Sequence, residues 1–193
     1  MTDEQQVKAL FDQQDKLDIV VANAGIAADE GSIVEFEGAK AIEVVNTNLL
    51  GTFYTFKYAP SKMHDGSSII ATGSVAGSGV THAGTAVYAA SKAGVSYLVK
   101  TAAIENAPRA IRVNSVCPAM IANTGMMVSE DDPMSEFLAS LTALGRMGKQ
   151  SEVTGVYNFL ASDISSFITG QEIRVDGGTS AGIGLPIFEA LSR

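Results

Sequence analysis

Cys117 is the only cysteine in this sequence, and there is no tryptophan. One thiol can form neither an internal disulfide nor a zinc cluster, so a reducing compartment is the simpler expectation. The two histidines, His64 and His82, stand far apart and match no metal-ligand spacing, so no metal is expected. Positive charge is scarce: 13 Lys and Arg against 21 Asp and Glu leave a net charge of -8. Nothing here would neutralise a run of phosphates, which argues against a nucleic-acid partner. There is no basic cluster for an anionic membrane surface either. No apolar run approaches the ~20 residues of a membrane span. The opening residues, Met1-Thr-Asp-Glu-Gln-Gln, are polar and acidic, unlike a secretory leader. A cytoplasmic protein is expected.

What is present reads as a globular chain. Hydrophobic residues make up 46% and charged residues 18% of 193, enough for one domain with a sizeable core. Strand-like and helix-like segments alternate, which favours α/β with a parallel sheet. Thr2-Asp-Glu-Gln5 reads as a capping box for a helix over 3–15. A strand over 18–22 ends in Asn23-Ala-Gly25, and a long helix over 39–58 is stopped by Pro60. A strand over 68–72, a small-residue helix over 85–105 and a strand over 111–116 follow. Helices are predicted over 134–144 and 151–161, then a last strand over 172–175.

Tyr88-Ala-Ala-Ser-Lys92 places a phenol and an ammonium at i and i+4, on one helix face. A free phenol has a pKa of about 10, and a neighbouring cation favours its charged form. Such a pair can exchange a proton with a substrate oxygen near neutral pH. Random placement gives about 0.2 pairs of this kind. Tyr58 and Lys62 form a second, but Pro60 between them disfavours helical geometry. Tyr58/Lys62 therefore reads as a decoy. The surroundings of Tyr88 add weight. Ser74 follows the strand over 68–72, at the end where ligands bind in open α/β sheets, and could hydrogen-bond a carbonyl oxygen. Taken singly, it also reads as an ordinary turn serine. Asn46 and Asn48 lie mid-helix, where a weak helix former calls for a reason such as a polar network or a held water.

These motifs, in this order, resemble the classical short-chain dehydrogenase/reductase family. Leu17 to Gly25 resembles its Asn-Ala-Gly signature, and Asn48-Leu-Leu-Gly51 its Asn-Leu-x-Gly motif. Ser74, Tyr88 and Lys92 fall on its Ser, Tyr and Lys. Pro118 to Thr124 resembles its Pro-Gly segment, and Ile168 to Gln171 with Val175 to Gly178 its C-terminal signature. The resemblance implies a Rossmann-like, doubly wound parallel sheet in a single domain over 1–193, comprising strands four to seven of the family fold. It implies hydride transfer between NAD or NADP and a small-molecule carbonyl or secondary alcohol. Tyr88 would be the acid/base. Lys92 would lower its pKa and hold the nicotinamide ribose. Ser74 would orient the substrate oxygen, and Asn48 would hold a water of the proton relay. Asn23, Ala24 and Gly25 would line the cofactor cleft. From the Pro118 segment, Ile121 and Thr124 would approach the carboxamide. A homodimer or homotetramer, joined through the long helices, is expected.

There are departures. The gap from Ser74 to Tyr88 is one residue longer than the commonest family spacing, and Ala119 stands where the family has Gly. Asn123 occupies a place where Thr is often found, with Thr124 next. The resemblance begins near the end of the family's third strand, so the Gly-rich pyrophosphate loop is expected to be missing and the strand over 18–22 to form a sheet edge. Gly178, Gly182 and Gly184 imitate that loop's spacing, but a C-terminal tail packing at a subunit interface is the favoured reading. A non-catalytic fragment, or a partner for full-length relatives, is the alternative function. The methionines between Met120 and Met134 suggest a substrate lid. His82 reads as a loop residue and Cys117 as buried and inert. The acidic run at 130–132 reads as a solvated face.

Overall fold

The computed structural model describes residues 1–27, 31–182, 184 and 187–188. Four parallel strands lie in the order β1 (Leu17–Ala22), β2 (Met63–Thr72), β3 (Arg112–Pro118), β4 (Glu172–Val175). The helices are α1 (Glu4–Asp12), α2 (Gly38–Val45), α3 (Gly51–Tyr58), α4 (Val75–Ser78), α5 (Ala86–Asn106), α6 (Ser135–Ser140) and α7 (Gln150–Ala161). Parallel pairing brings all four carboxyl ends to one side of the sheet. That shared edge positions the site.

Side-chain alternation along β2 divides the core. Ile69 and Ala71 point into a cluster with Val7 and Phe11 of α1, Phe56 of α3, and Val95 and Val99 of α5. Ile70 points the other way, to Val116, Val153 and Leu160 under α7. Helices thus cover both faces, as an apolar parallel sheet requires. The edge strand β1 is an exception. Val20 and Ala22 of β1 are buried, but Ile19 and Val21 on its opposite face are 48% and 47% exposed. Polar residues inside β3 have fixed partners. Arg112 donates to Leu160 O, Ser162 O and Ser165 Oγ, closing the carboxyl end of α7. Asn114 donates to Ile168 O and accepts from Gln171 N, which braces the entry to β4.

Three local expectations are corrected. The cap of α1 is Asp3, not Thr2: its Oδ1 accepts from Gln6 N at 3.1 Å. A carboxylate caps as well as a hydroxyl and adds favourable charge at the helix start. The helix predicted over 39–58 contains a π turn, Asn46–Leu50, between α2 and α3. The helix predicted over 134–144 stops at Ser140. Beyond it Thr142 Oγ1 bonds Ala139 O at 3.0 Å and Arg146 O at 2.9 Å, and such side-chain bonds compete with helix. Of the C-terminal tail that carries the late glycines, residues 183, 185–186 and 189–193 lie outside the described residues.

Candidate active site

Asn23 follows β1, Ser74 follows β2 by two residues, and Pro118 ends β3, so all three stand at the carboxyl edge. α5 reaches the same edge with Tyr88 and Lys92 on its first two turns. Ser74 is the N-cap of α4, its Oγ accepting from Ala76 N at 3.2 Å. That leaves the hydroxyl proton to donate elsewhere. The turn after Ser74 is pressed onto α5 at Gly77. A Cβ at Gly77 would stand 2.4 Å from the Lys92 carbonyl carbon and 2.5 Å from Ala93 N. Only a glycine lets α4 and α5 approach this closely, and the approach brings Ser74 beside the Tyr88/Lys92 turn.

Lys92 is 3% exposed, and its Nζ donates to Thr72 O at 2.8 Å. Nζ also lies 5.9 Å from the centroid of the half-buried Tyr88 ring, within cation–π range. Burial pulls the ammonium pKa down to about 8. The gap from the ordinary 10.5 corresponds to about 3 kcal/mol of folding free energy. The sign follows from proton counts. Below pH 8 the lysine is charged in both states, and the folded state bears the desolvation cost. Between pH 8 and 10.5 only the unfolded chain keeps the proton, so stability from this group rises with pH. Lys92→Met removes that cost but also the charged hydrogen bond to Thr72 O, typically ~1.5–3 kcal/mol. At pH 7 the variant is therefore expected to unfold within ~2 kcal/mol of the parent. The parent should gain on it as pH rises from 8 to 10. Urea unfolding at several pH values measures this; a large loss at pH 7 that is flat with pH contradicts it.

Asn48 is fully buried inside the π turn. Its Nδ2 donates to Ile26 O at 2.9 Å and Ser91 Oγ at 3.1 Å, and its Oδ1 accepts from Ile26 N at 2.8 Å. Ser91 Oγ in turn donates to Tyr88 O at 2.7 Å. One asparagine thus ties the loop after β1 to the first turns of α5. The wide turn is what swings Asn48 inward, and it explains a weak helix former at that position. Both side-chain N–H bonds are in use, so a water here can bond only to oxygen lone pairs. Gly25 sits between these groups: a Cβ there would lie 3.2 Å from Lys92 Nζ and 3.3 Å from Asn48 Oδ1.

Gly25 therefore lies against Asn48 and Lys92, Lys92 lies near the Tyr88 ring, and Asn23 and Ser74 stand at the same edge. The Pro118 segment contributes differently. The Ile121 side chain is buried in the cluster under α7, while Thr124 is exposed, with its Oγ1 3.4 Å from Ile121 O. Asn123 takes a left-handed conformation, φ 58°, which asparagine tolerates better than threonine. Tyr58 ends α3 and bonds Glu4, away from Lys62 in the next turn. His82 is exposed in a loop, and Cys117 is buried, its thiol pKa raised by that burial. A cavity of about 280 Å³ lined by Met120, Ile121, Arg146, Glu152 and Asp176 includes none of Ser74, Tyr88 or Lys92.

Sequence reasoning missed Gly77, Ser91, Thr72 and Tyr157. Ser91 sits one turn after Tyr88, so helical spacing could have flagged it. Thr72 was visible only as the last strand residue, and Tyr157 only as part of an apolar helix face.

Comparison with known proteins gives a consistent answer. A family model described as enoyl-(acyl carrier protein) reductase matches residues 1–180. The chain is 35% identical to cis-4-hydroxycyclohexanecarboxylate dehydrogenase of Sinomonas cyclohexanicum, over 94% of this chain and 74% of that protein. It is 39% identical to 3-oxoacyl-[acyl-carrier-protein] reductase FabG of Thermotoga maritima, over 92% and 74%. Among solved structures it is similar to a short-chain dehydrogenase/reductase from Serratia marcescens, with TM-score 0.86, 32% identity, and coverage of 93% and 74%. It is also similar to BdcA in complex with NADPH, with TM-score 0.85, 32% identity, and coverage of 91% and 71%.

Proposed function

The chain belongs to the short-chain dehydrogenase/reductase family of oxidoreductases, and on that premise we propose that it interconverts a carbonyl and a secondary alcohol with Tyr88 as acid/base. One observation carries this reading. Tyr88 and Lys92 lie one turn apart at the carboxyl edge, with the Ser74 turn packed against them through Gly77. The relatives are named as a 3-oxoacyl-[acyl-carrier-protein] reductase and a cis-4-hydroxycyclohexanecarboxylate dehydrogenase, names that carry an oxo and a hydroxy group, and this supports the carbonyl/hydroxyl reading.

The residues fit a nicotinamide dinucleotide. Lys92 is buried yet, among the described residues, its Nζ bonds a single acceptor, Thr72 O, which leaves two N–H donors for ribose hydroxyls. Asn23 is exposed at the end of β1 and adds a further polar contact. The backbone at Gly25 passes without a side chain between Lys92 and Asn48. When bound, NAD(H) or NADP(H) supplies or accepts the hydride. In reduction, the Tyr88 O–H gives its proton to the carbonyl oxygen as the carbon gains hydride. Ser74 donates a hydrogen bond to that same oxygen and sets its direction. Negative charge left on the phenol oxygen is met by the Lys92 ammonium, and Asn48 holds the α5 turn in place through Ser91. In oxidation each proton moves in reverse.

Fluorescence titration with NADPH and NADH, followed by turnover of ethyl acetoacetate, tests this. Saturable binding of one cofactor and its consumption with the ketone are expected. Absence of binding at millimolar concentration of both would overturn the reading.

A further inference from the structure

We infer that Tyr157 is a positioning residue: through Thr72 it fixes the Asn23 side chain with its amide N–H bonds facing the crevice, as donors to an acceptor of a bound dinucleotide. The inference rests on the dinucleotide reading above.

The argument is a proton count. Thr72 Oγ1 lies 2.7 Å from Asn23 Oδ1 and 2.5 Å from the Tyr157 hydroxyl. An amide oxygen can only accept, and a threonine hydroxyl carries one proton. Thr72 must therefore donate to Asn23, which leaves Tyr157 as the donor to Thr72. The chain of bonds runs one way, from phenol to hydroxyl to amide oxygen. With Oδ1 held inward, the planar amide must turn Nδ2 outward. Nδ2 has no partner among the described residues, and Asn23 is exposed directly after β1. Asn23 itself stands at the carboxyl edge of the sheet, where ligands of open α/β folds bind.

The relay is anchored from behind. Tyr157 packs on α7 with Ile70, Val116 and Val153, so its ring cannot follow the crevice as the site fills. Burial also raises its phenol pKa above the ordinary value, which keeps it a donor at neutral pH. Thr72 links two contacts to the same ligand: its carbonyl takes Lys92 Nζ while its hydroxyl takes Asn23. The candidate ligand atoms are ribose hydroxyl or phosphate oxygens, both acceptors.

Tyr157→Phe, Asn23→Ala and their double variant test this in the full chain. Tyr157→Phe is expected to weaken NADPH or NADH binding roughly tenfold, the effect of one hydrogen bond, with kcat little changed. In the Asn23→Ala background the same change should have no further effect on Kd. A merely structural tyrosine would act equally in both backgrounds, and that result overturns the inference. Asn23→Asp gives the direction: with Oδ1 still on Thr72, a carboxylate oxygen would face the ligand acceptor, so Kd should be worse than for Asn23→Ala. Binding by Asn23→Asp as tight as the parent's would show the amide turned the other way. If the parent binds neither cofactor, the dinucleotide reading has failed, and the relay is decided separately in the ligand-free protein. There, NMR relaxation of the Asn23 side-chain amide should report a rigid group that loosens in Tyr157→Phe; unchanged relaxation refutes the relay.

Discussion

Tyr88→Phe is expected to leave a folded protein that binds its cofactor but reduces a carbonyl about 10²–10⁴ times more slowly, the range general acid catalysis supplies. The substitution removes one oxygen. The ring stays on α5 with Lys92 Nζ beside it, and Ser91 Oγ bonds the Tyr88 main chain, which the change does not touch. Melting temperature and cofactor Kd should therefore hold while kcat falls. That pattern separates loss of a proton donor from loss of a site. Turnover within tenfold of the parent would remove Tyr88 from the role of acid/base, whatever the rest of the edge does.

Gly77→Ala is expected to act on both stability and rate, from a position that touches no substrate. The added Cβ would meet the backbone of Lys92 at 2.4 Å and of Ala93 at 2.5 Å, and neither is a flexible side-chain end that can swing aside. Normal carbon contacts are about 3.5–4.0 Å, so α4 must back away from α5 by roughly 1 Å. Overpacking of this kind typically costs ~1–3 kcal/mol. Ser74 begins α4 and moves with it, and a displacement of ~1 Å near the reacting groups can cost ~10²-fold in rate. The same substitution at Gly155 is the contrast. It lies within α7, and a Cβ there meets nothing within 4 Å. Gly155→Ala should be neutral or stabilising by up to ~1 kcal/mol from helix propensity. Thermal melts and steady-state kinetics on both variants decide the matter. Two indistinguishable alanine variants would show that the close approach of α4 and α5 is unimportant.

The candidate site residues were legible because their spacing is local. Tyr88 and Lys92 are four apart on one helix, Ser74 follows a strand, and Asn23 to Gly25 end another. Each can be read from a window of a few residues, since the helical and strand periods place them without knowledge of the rest of the chain. The strand order could be anticipated for the same reason: alternating strand and helix with parallel crossovers leaves few arrangements. Boundaries were less legible. Asp3 rather than Thr2 caps α1, because either side chain can do it and geometry chooses. Thr142 ends α6 early by bonding the backbone on both sides, a contact invisible in its helical spacing.

Local pattern by itself determined the class of fold and which phenol and ammonium share one helix face as the proposed reacting pair. Tertiary structure alone decided which neutral residues hold that pair in place. Gly77 matters because another helix passes 2.4 Å from its missing side chain. Thr72 and Tyr157, 85 positions apart, matter because packing brings their hydroxyls together. Periodicity reports which face a residue occupies, and it carries no information about what stands opposite. Hydrogen-bond direction and backbone clearance depend on what stands opposite, so only the folded chain contains them.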